Sequence, residues 1–332
     1  MANAELLTEI WRADFMESQH VGHAVICDAS GNIVQSWGAP DTIILPRSSC
    51  KMIQALPLVE SGAADAFGLT DEQLALSCAS HQGAAIHTDW VTRWLSDLGL
   101  DDDALRCGPQ MPSDEDAKKQ LICSDTSPCQ YHNNCSGKHS GFLTLNKHLG
   151  AGPEYVDPTH PIQQAVRAAY EDVTGMDSPG YAIDGCSAPN FATSVYGLAK
   201  AMAFFAAARE GVGSAREQAA ARLRNAMAKH PDLVAGEGRS CTELMRAMDG
   251  QVSIKTGAEA VFVAMLPAQK LGVAVKINDG GTRASECTIA AILVKLGVLD
   301  PEHPATRKRL NATIRNWRGI ETGSVRAAAT LL

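Results

Sequence analysis

Ser48-Ser-Cys-Lys51 is the one Ser-x-x-Lys in a chain of 332 residues. At a helix start, positions i and i+3 place a hydroxyl and an amine on one face, one turn apart. The first N–H groups of such a helix favour an anion at the serine. The lysine can take the serine's proton only if burial or a second cation lowers its own pKa. A four-residue motif also arises by chance, and its structural alternative is a capping serine beside a surface lysine.

Lys255-Thr-Gly257 supplies a second half. It opens a strong strand pattern, the place where serine–lysine acyl transfer uses a Lys-Thr-Gly. Its glycine lets a substrate lie close to the strand, and the N–H groups of Ala258 and Ser48 are candidate donors to an oxyanion. The plain alternative is a strand-edge lysine before a turn. Ser80, in Cys78-Ala-Ser-His-Gln-Gly83, closes a predicted helix and precedes His81 and His87. It is either a helix end with exposed histidines or a second hydroxyl that pairs with Lys255 to relay protons. Gly236-Glu-Gly-Arg239 is not a phosphate loop, because no strong strand precedes it and no Lys-Ser/Thr follows.

Positioning these residues takes strands at both ends of the chain and helices between. Residues 9–15 and 23–27 read as strands separated by a polar, bendable stretch. Asp28-Ala-Ser-Gly-Asn32 offers the positive φ of a hairpin turn before a strand over 33–37. Residues 48–60 form an apolar helix that Pro57 should kink and Gly62 should stop. Helices are expected over 71–79, 88–98, 114–123, 141–149, 161–173, 190–209 and 214–229. Strands at 260–266 and 271–277 flank the turn residues 267–270, a helix covers 284–299, and 317–326 adds an edge strand. The expected class is α/β (α+β), an antiparallel sheet built from both termini and flanked by helices, with an inserted, mostly helical region. Residues 1–65 and 240–332 would make the sheet-plus-helix lobe and 66–239 the helical lobe of one continuous globular unit.

Hydrophobic residues at 45% and charged residues at 20% are ordinary for a globular protein. A net charge of -8 and only 5% aromatics argue against nucleic acid or an anionic membrane as partner. The N-terminal stretch lacks a basic region followed by an apolar run, and no apolar segment is long enough to span a bilayer. Ten widely spaced cysteines then read as reduced thiols in a cytoplasmic protein.

The chain resembles the Rhizobium etli-type L-asparaginases, distinct from the threonine-nucleophile asparaginases. The likeness runs through Ile10-Trp-Arg12, Pro46-Arg-Ser-Ser-Cys-Lys51, Gln54-Ala-Leu-Pro-Leu-Val-Glu-Ser-Gly62 and Ser77-Cys-Ala-Ser-His81. It continues through His132-Asn-Asn-Cys-Ser-Gly-Lys-His139, Asp184-Gly-Cys186 and Lys255-Thr-Gly-Ala-Glu259. It implies a fold like serine β-lactamases, penicillin-binding proteins and serine glutaminases, a homodimer, and hydrolysis of L-asparagine. It also implies two serine–lysine pairs, Ser48/Lys51 and Ser80/Lys255, and a zinc ion held by Cys135, Lys138 and Cys186.

Two thiolates suit zinc, the lysine must lose a proton to bind it, and three protein ligands leave a position for water or substrate. Such an ion would grip the substrate's α-amino or carboxylate group rather than hydrolyse the amide. Without the resemblance, the two cysteines read as small core residues. Arg47 has the fork for an α-carboxylate, Asp184 could accept an α-ammonium, and His139 could hydrogen-bond the substrate. Their plain alternatives are a surface ion pair, a turn aspartate and a core histidine. Rival readings are a serine glutaminase, a penicillin-recognising hydrolase (which lacks a Ser-Asp-Asn here, the nearest triplets being Ser80-His-Gln82 and Asn134-Cys-Ser136) and a non-enzymatic zinc-binding module. One methylene discriminates too weakly for sequence to set the preference between asparagine and glutamine.

Overall fold

The structure, a computed structural model, describes residues 3–332, so the first two residues of the stretch read for a leader lie outside it. The described chain divides into two compact units. One comprises the chain up to Ser49 with Thr193–Ala207 and Glu243–Leu332, and the other comprises Cys50–Ala192 with Ala208–Thr242.

The first unit is built on an antiparallel sheet. β1 (Glu5–Arg12) reverses through Ala13, at φ +48°, into β2 (Phe15–Cys27). The Asp28 carboxylate accepts the N–H groups of Ser30 and Asn32, and Gly31 takes φ +82°, so the chain turns into β3 (Ile33–Trp37), paired with β2. The two-residue β4 (Ile43–Ile44) follows. In the second unit, β5 (Tyr181–Ile183) pairs with β6 (Pro189–Phe191). β7 (Thr193–Ser194) returns to the first unit to pair with β4. β8 (Ser253–Gly257), β9 (Val261–Leu266), β10 (Leu271–Ile277), β11 (Ala312–Arg315) and β12 (Glu321–Ala327) complete the large sheet. Its order is β11-β12-β1-β2-β10-β9-β8, with β3 also on β2. Strands from both termini therefore share one antiparallel sheet, and the mixed α/β class expected from the sequence is the one observed.

Every residue of β9 is buried. Successive side chains point to opposite faces, so both faces of this strand are covered. The helix Val195–Ala207 packs on β10, β2 and β9, and the helix Thr282–Lys295 on β12, β1, β10 and β9. Gly272 permits the first of these contacts. A Cβ there would stand 2.0 Å from the Ala203 nitrogen and 2.3 Å from the Ala199 oxygen.

The second unit is mostly helical. Asp71–Ser77, Ala85–Asp97, Glu115–Cys123, Pro161–Thr174 and Ala215–Lys229 occupy the regions expected from apolar spacing and caps, whereas the helix expected from 141 starts already at Ser136 and takes in Lys138 and His139. Ser136–Leu149 is buried from Ser136 to Leu145, which makes it the central helix of this unit. Among the described residues, no helix is long and apolar enough to cross a membrane.

Five further local expectations need correction. The polar stretch after residue 15 is strand, because β2 pairs with β1 along its first half and β10 along its second, and exposed positions tolerate polar side chains. Register shifts between Leu6 and Thr8 and between Ile10 and Trp11 accommodate the long strand. Residues 48–60 are not one kinked helix. A 3-10 turn, Arg47–Cys50, leads into Lys51–Gln54, and a new helix, Leu56–Glu60, starts with Pro57 in its first turn, where a missing N–H costs nothing. The helix expected from 190 begins only at Val195, since residues 189–191 and 193–194 pair as strands and the Ser194 hydroxyl accepts the Gly197 N–H. The strand expected over 317–326 starts only at Glu321, because the Asn316 side chain accepts the N–H groups of Arg318 and Ile320 and turns the chain there, and it lies one strand in from the edge, which is β11. Finally, Lys255-Thr-Gly257 ends its own strand, β8. Glu259 and Ala260, at φ +58° and +56°, then turn the chain into β9.

Candidate active site

In the second unit the helix Asp71–Ser77 ends in an irregular loop that carries Ser80. Backbone hydrogen bonds fix this loop on two sides. Ser80 N–H donates to Val234 O at 2.9 Å, Gln82 N–H to Ala235 O at 3.1 Å and His81 N–H to Asn134 O at 3.2 Å. Lys51 begins the helix Lys51–Gln54 and is buried. Its Nζ lies 2.5 Å from Ala79 O, 3.0 Å from Ser80 Oγ and 3.1 Å from Cys135 Sγ. Among the described residues, no carboxylate pairs with it. A buried amine against a serine hydroxyl is placed to exchange a proton with it.

Cys135 precedes the helix Ser136–Leu149, and Lys138 and His139 lie in its first turn. Cys186 sits in a tight turn in which Ser187, at φ +70°, donates its N–H to Asp184 O, and the Asp184 carboxylate accepts the Gly185 N–H. Lys138 Nζ is 3.0 Å from Cys186 Sγ. The hydrogen bond from Cys135 and the Lys138 ammonium hold Cys186 well below the usual thiol range, against its burial. Donating that bond, together with burial, pushes Cys135 well above the range. Burial alone would lower Lys138, but the two sulfurs and Asp184 together raise it.

Tyr155 orients the neighbouring imidazole. Its hydroxyl accepts the Arg106 N–H at 2.8 Å, so its own hydrogen goes to His139 Nδ1, 2.9 Å away. The His139 proton then sits on Nε2, which is buried, makes no well-formed hydrogen bond and interacts electrostatically with Cys186. Burial lowers this histidine to about 4. Sequence reading passed over Tyr155, since a lone loop tyrosine has no spacing signal.

Among the described residues, no group of three or more His, Cys, Asp or Glu is arranged to hold a metal ion. A metal at Cys135 and Cys186 therefore needs the Lys138 amine as its third donor. The donor chemistry fits, because two sulfurs and one amine are buried and Cys186 touches both of the others, with the otherwise unsatisfied His139 Nε2 beside them. The cost is a proton from Lys138 and one from Cys135.

In the first unit, Arg47 stands at φ +53°, a region costly for a bulky side chain, immediately before the half-buried Ser48. Ser49 closes the turn, its N–H and hydroxyl donating to Pro46 O at 3.2 and 2.7 Å. The end of β8 lies against this turn. A Cβ on Gly257 would come within 2.7 Å of Pro46 O and 2.9 Å of Ser49 N, so only glycine fits. Lys255 is buried and donates from Nζ to Thr256 O at 2.8 Å, and Ala258 starts the turn that follows. Arg47, Ser48, Lys255 and Ala258 thus belong to the first unit, and Lys51, Ser80, Cys135, Lys138, His139, Asp184 and Cys186 to the second.

A sequence model of L-asparaginase II matches residues 8–327, nearly the whole chain. The chain belongs to the L-asparaginase II family. As an L-asparaginase II it is an amidohydrolase with a small-molecule substrate. No curated protein matches it. Several solved structures are similar to this L-asparaginase II at low identity. A putative β-lactamase from Bacteroides dorei DSM 17855 is 12% identical with a TM-score of 0.43, over 81% of this chain and 92% of that one. A class C β-lactamase from Rhodobacter sphaeroides is 16% identical with a TM-score of 0.40, over 82% and 95%. Mglu in its native form is 12% identical with a TM-score of 0.44, over 85% of this chain and 66% of Mglu, so the chain spans about two thirds of that protein's length. At TM-scores this low these likenesses carry no argument about this chain.

Proposed function

We propose that this L-asparaginase II hydrolyses L-asparagine to L-aspartate and ammonia through an acyl-serine intermediate on Ser48. Lys51 takes the Ser48 hydroxyl proton as Oγ bonds to the side-chain amide carbon. The N–H groups of Ser48 and Ala258 stabilise the resulting oxyanion. The carbon–nitrogen bond then breaks, and the departing nitrogen leaves as ammonia with a proton relayed through Ser80 and Lys255. Water attacks the ester, its proton returns through the same lysines, and aspartate is released with Ser48 restored.

The observation that supports this reading is the buried Lys51 amine, 3.0 Å from the hydroxyl of Ser80, the proposed relay, and unpaired with any carboxylate among the described residues, in a chain of this family. Arg47 would receive the substrate α-carboxylate, Asp184 its α-ammonium, and His139 a further polar atom. Cys135, Lys138 and Cys186 would hold a zinc ion, which when bound supplies a fixed positive charge toward a polar group of the substrate. A cytoplasmic homodimer belongs to the same reading.

Replacing Ser48→Ala should lower ammonia release from L-asparagine by roughly 10^4-fold or more, with the far-UV dichroism of the folded protein unchanged. Release at the wild-type rate by that variant would refute Ser48 as the nucleophile and leave the cysteine cluster as the better candidate for function.

A further inference from the structure

His81 follows Ser80 directly, yet none of the steps above uses it. Its side chain is 1% exposed. Both ring nitrogens are engaged. Nδ1 accepts the Gly83 N–H at 3.2 Å, so the proton sits on Nε2, which donates to Ser136 Oγ at 2.9 Å. Ser136 in turn donates to Tyr131 O at 3.0 Å. The ring also stacks on His87, centroid to centroid 4.8 Å with the planes 9° apart, and His87 Nε2 donates to Asp232 O at 2.9 Å.

These contacts join two segments of the second unit. One is the irregular loop bearing Ser80, and the other is the turn and helix start bearing Cys135 and Lys138. Lys51 Nζ bridges the same two segments by touching Ser80 Oγ and Cys135 Sγ. The backbone bonds to Val234, Ala235 and Asn134 anchor the loop without forming a ladder, and a buried ring satisfied at both nitrogens adds a rigid side-chain tie to the segment that bears Cys135.

We infer that His81 is a positioning residue, a strut that clamps the Ser80 loop onto the start of the helix Ser136–Leu149 and thereby sets the distance from Lys51 Nζ to Ser80 Oγ. The inference rests on the proposed participation of Ser80 in turnover. It assigns no proton transfer to His81 itself. Its effect falls on kcat, because a hydroxyl displaced by about 1 Å from a reacting lysine slows the reaction by roughly ten- to a hundredfold without removing substrate contacts.

The test is a set of variants assayed for ammonia release from L-asparagine. His81→Ala should lower kcat roughly ten- to a hundredfold, with KM changed less than about threefold. His81→Gln, which keeps a donor near the Nε2 position, should recover part of the loss. Ser136→Ala removes the far end of the strut while leaving the ring stack, and should reproduce the kcat loss even if His81→Ala fails to fold. In a double-mutant cycle, adding His81→Ala to Ser80→Ala should cost little beyond Ser80→Ala alone. Wild-type kcat in Ser136→Ala and His81→Gln, or fully additive losses in the cycle, would overturn the strut. Full activity in Ser80→Ala would instead bring down the underlying reading, a separately visible result.

Discussion

Three imidazoles in the second unit, His81, His87 and His139, are buried and neutral, and each is held below its ordinary pKa chiefly by that burial. In His81 and His139 a ring nitrogen also accepts a hydrogen bond, from the Gly83 N–H and the Tyr155 hydroxyl, which only the neutral ring can do. The consequence for stability has a definite sign. An unfolded histidine takes a proton near 6.5, whereas folded His139 does so only near about 4. Between those values the unfolded chain binds more protons, so stability that is complete above 6.5 declines as the pH falls through the window. His139 alone should remove about 2 kcal/mol of unfolding free energy by pH 5. Urea unfolding at pH 8 and pH 5 checks this, with His139→Asn as control, since the asparagine oxygen can still accept from Tyr155 but no longer titrates. Equal slopes against pH for the variant and the parent would contradict it.

Secondary-structure elements show where sequence pattern suffices and where it does not. The hairpin of β9 and β10 is legible because apolar, valine-containing runs flank Pro267-Ala-Gln-Lys270, and the turn at Asp28 because Gly31 supplies its positive φ. β2 is not legible over residues 16–22. Its polar residues look like a loop until the pairing with β1 is known, and pairing is a tertiary fact. Likewise, the family likeness placed Lys51 with Ser48, but no spacing rule brings Lys51 to Ser80, which is separated from it by the helices Leu56–Glu60, Ala63–Ala66 and Asp71–Ser77. Close approach by glycine is a second hidden feature, since the sequence shows the residue and not its neighbour. Gly272→Ala should destabilise the protein by about 3 kcal/mol, because its Cβ meets backbone of the helix Val195–Ala207 that cannot yield cheaply. Gly257→Ala pushes instead on the turn that carries Ser48, so its activity should fall at least about tenfold while its unfolding midpoint moves less than that of Gly272→Ala. Unfolding curves and ammonia release for the two variants compare them directly, and the reverse ranking of the two unfolding midpoints would show that the contacts are misjudged.

At the scale of the whole molecule, both ends of the chain contribute strands to one antiparallel sheet, and the residues singled out for chemistry fall in both units. Family membership settles the reaction class, an amidohydrolase, and leaves the route to the product to chemistry. The central claim is that the aspartyl group passes through an ester on Ser48. It is tested most directly by mixing enzyme with saturating L-asparagine, quenching in acid within one turnover, and locating any added mass by peptide mapping, with a parallel reaction containing hydroxylamine. The account predicts an aspartyl group on the peptide containing Ser48, removed by hydroxylamine, and aspartyl hydroxamate among the products of the parallel reaction. An aspartyl group on a different residue, or an unmodified enzyme that forms aspartate but no hydroxamate, would contradict it.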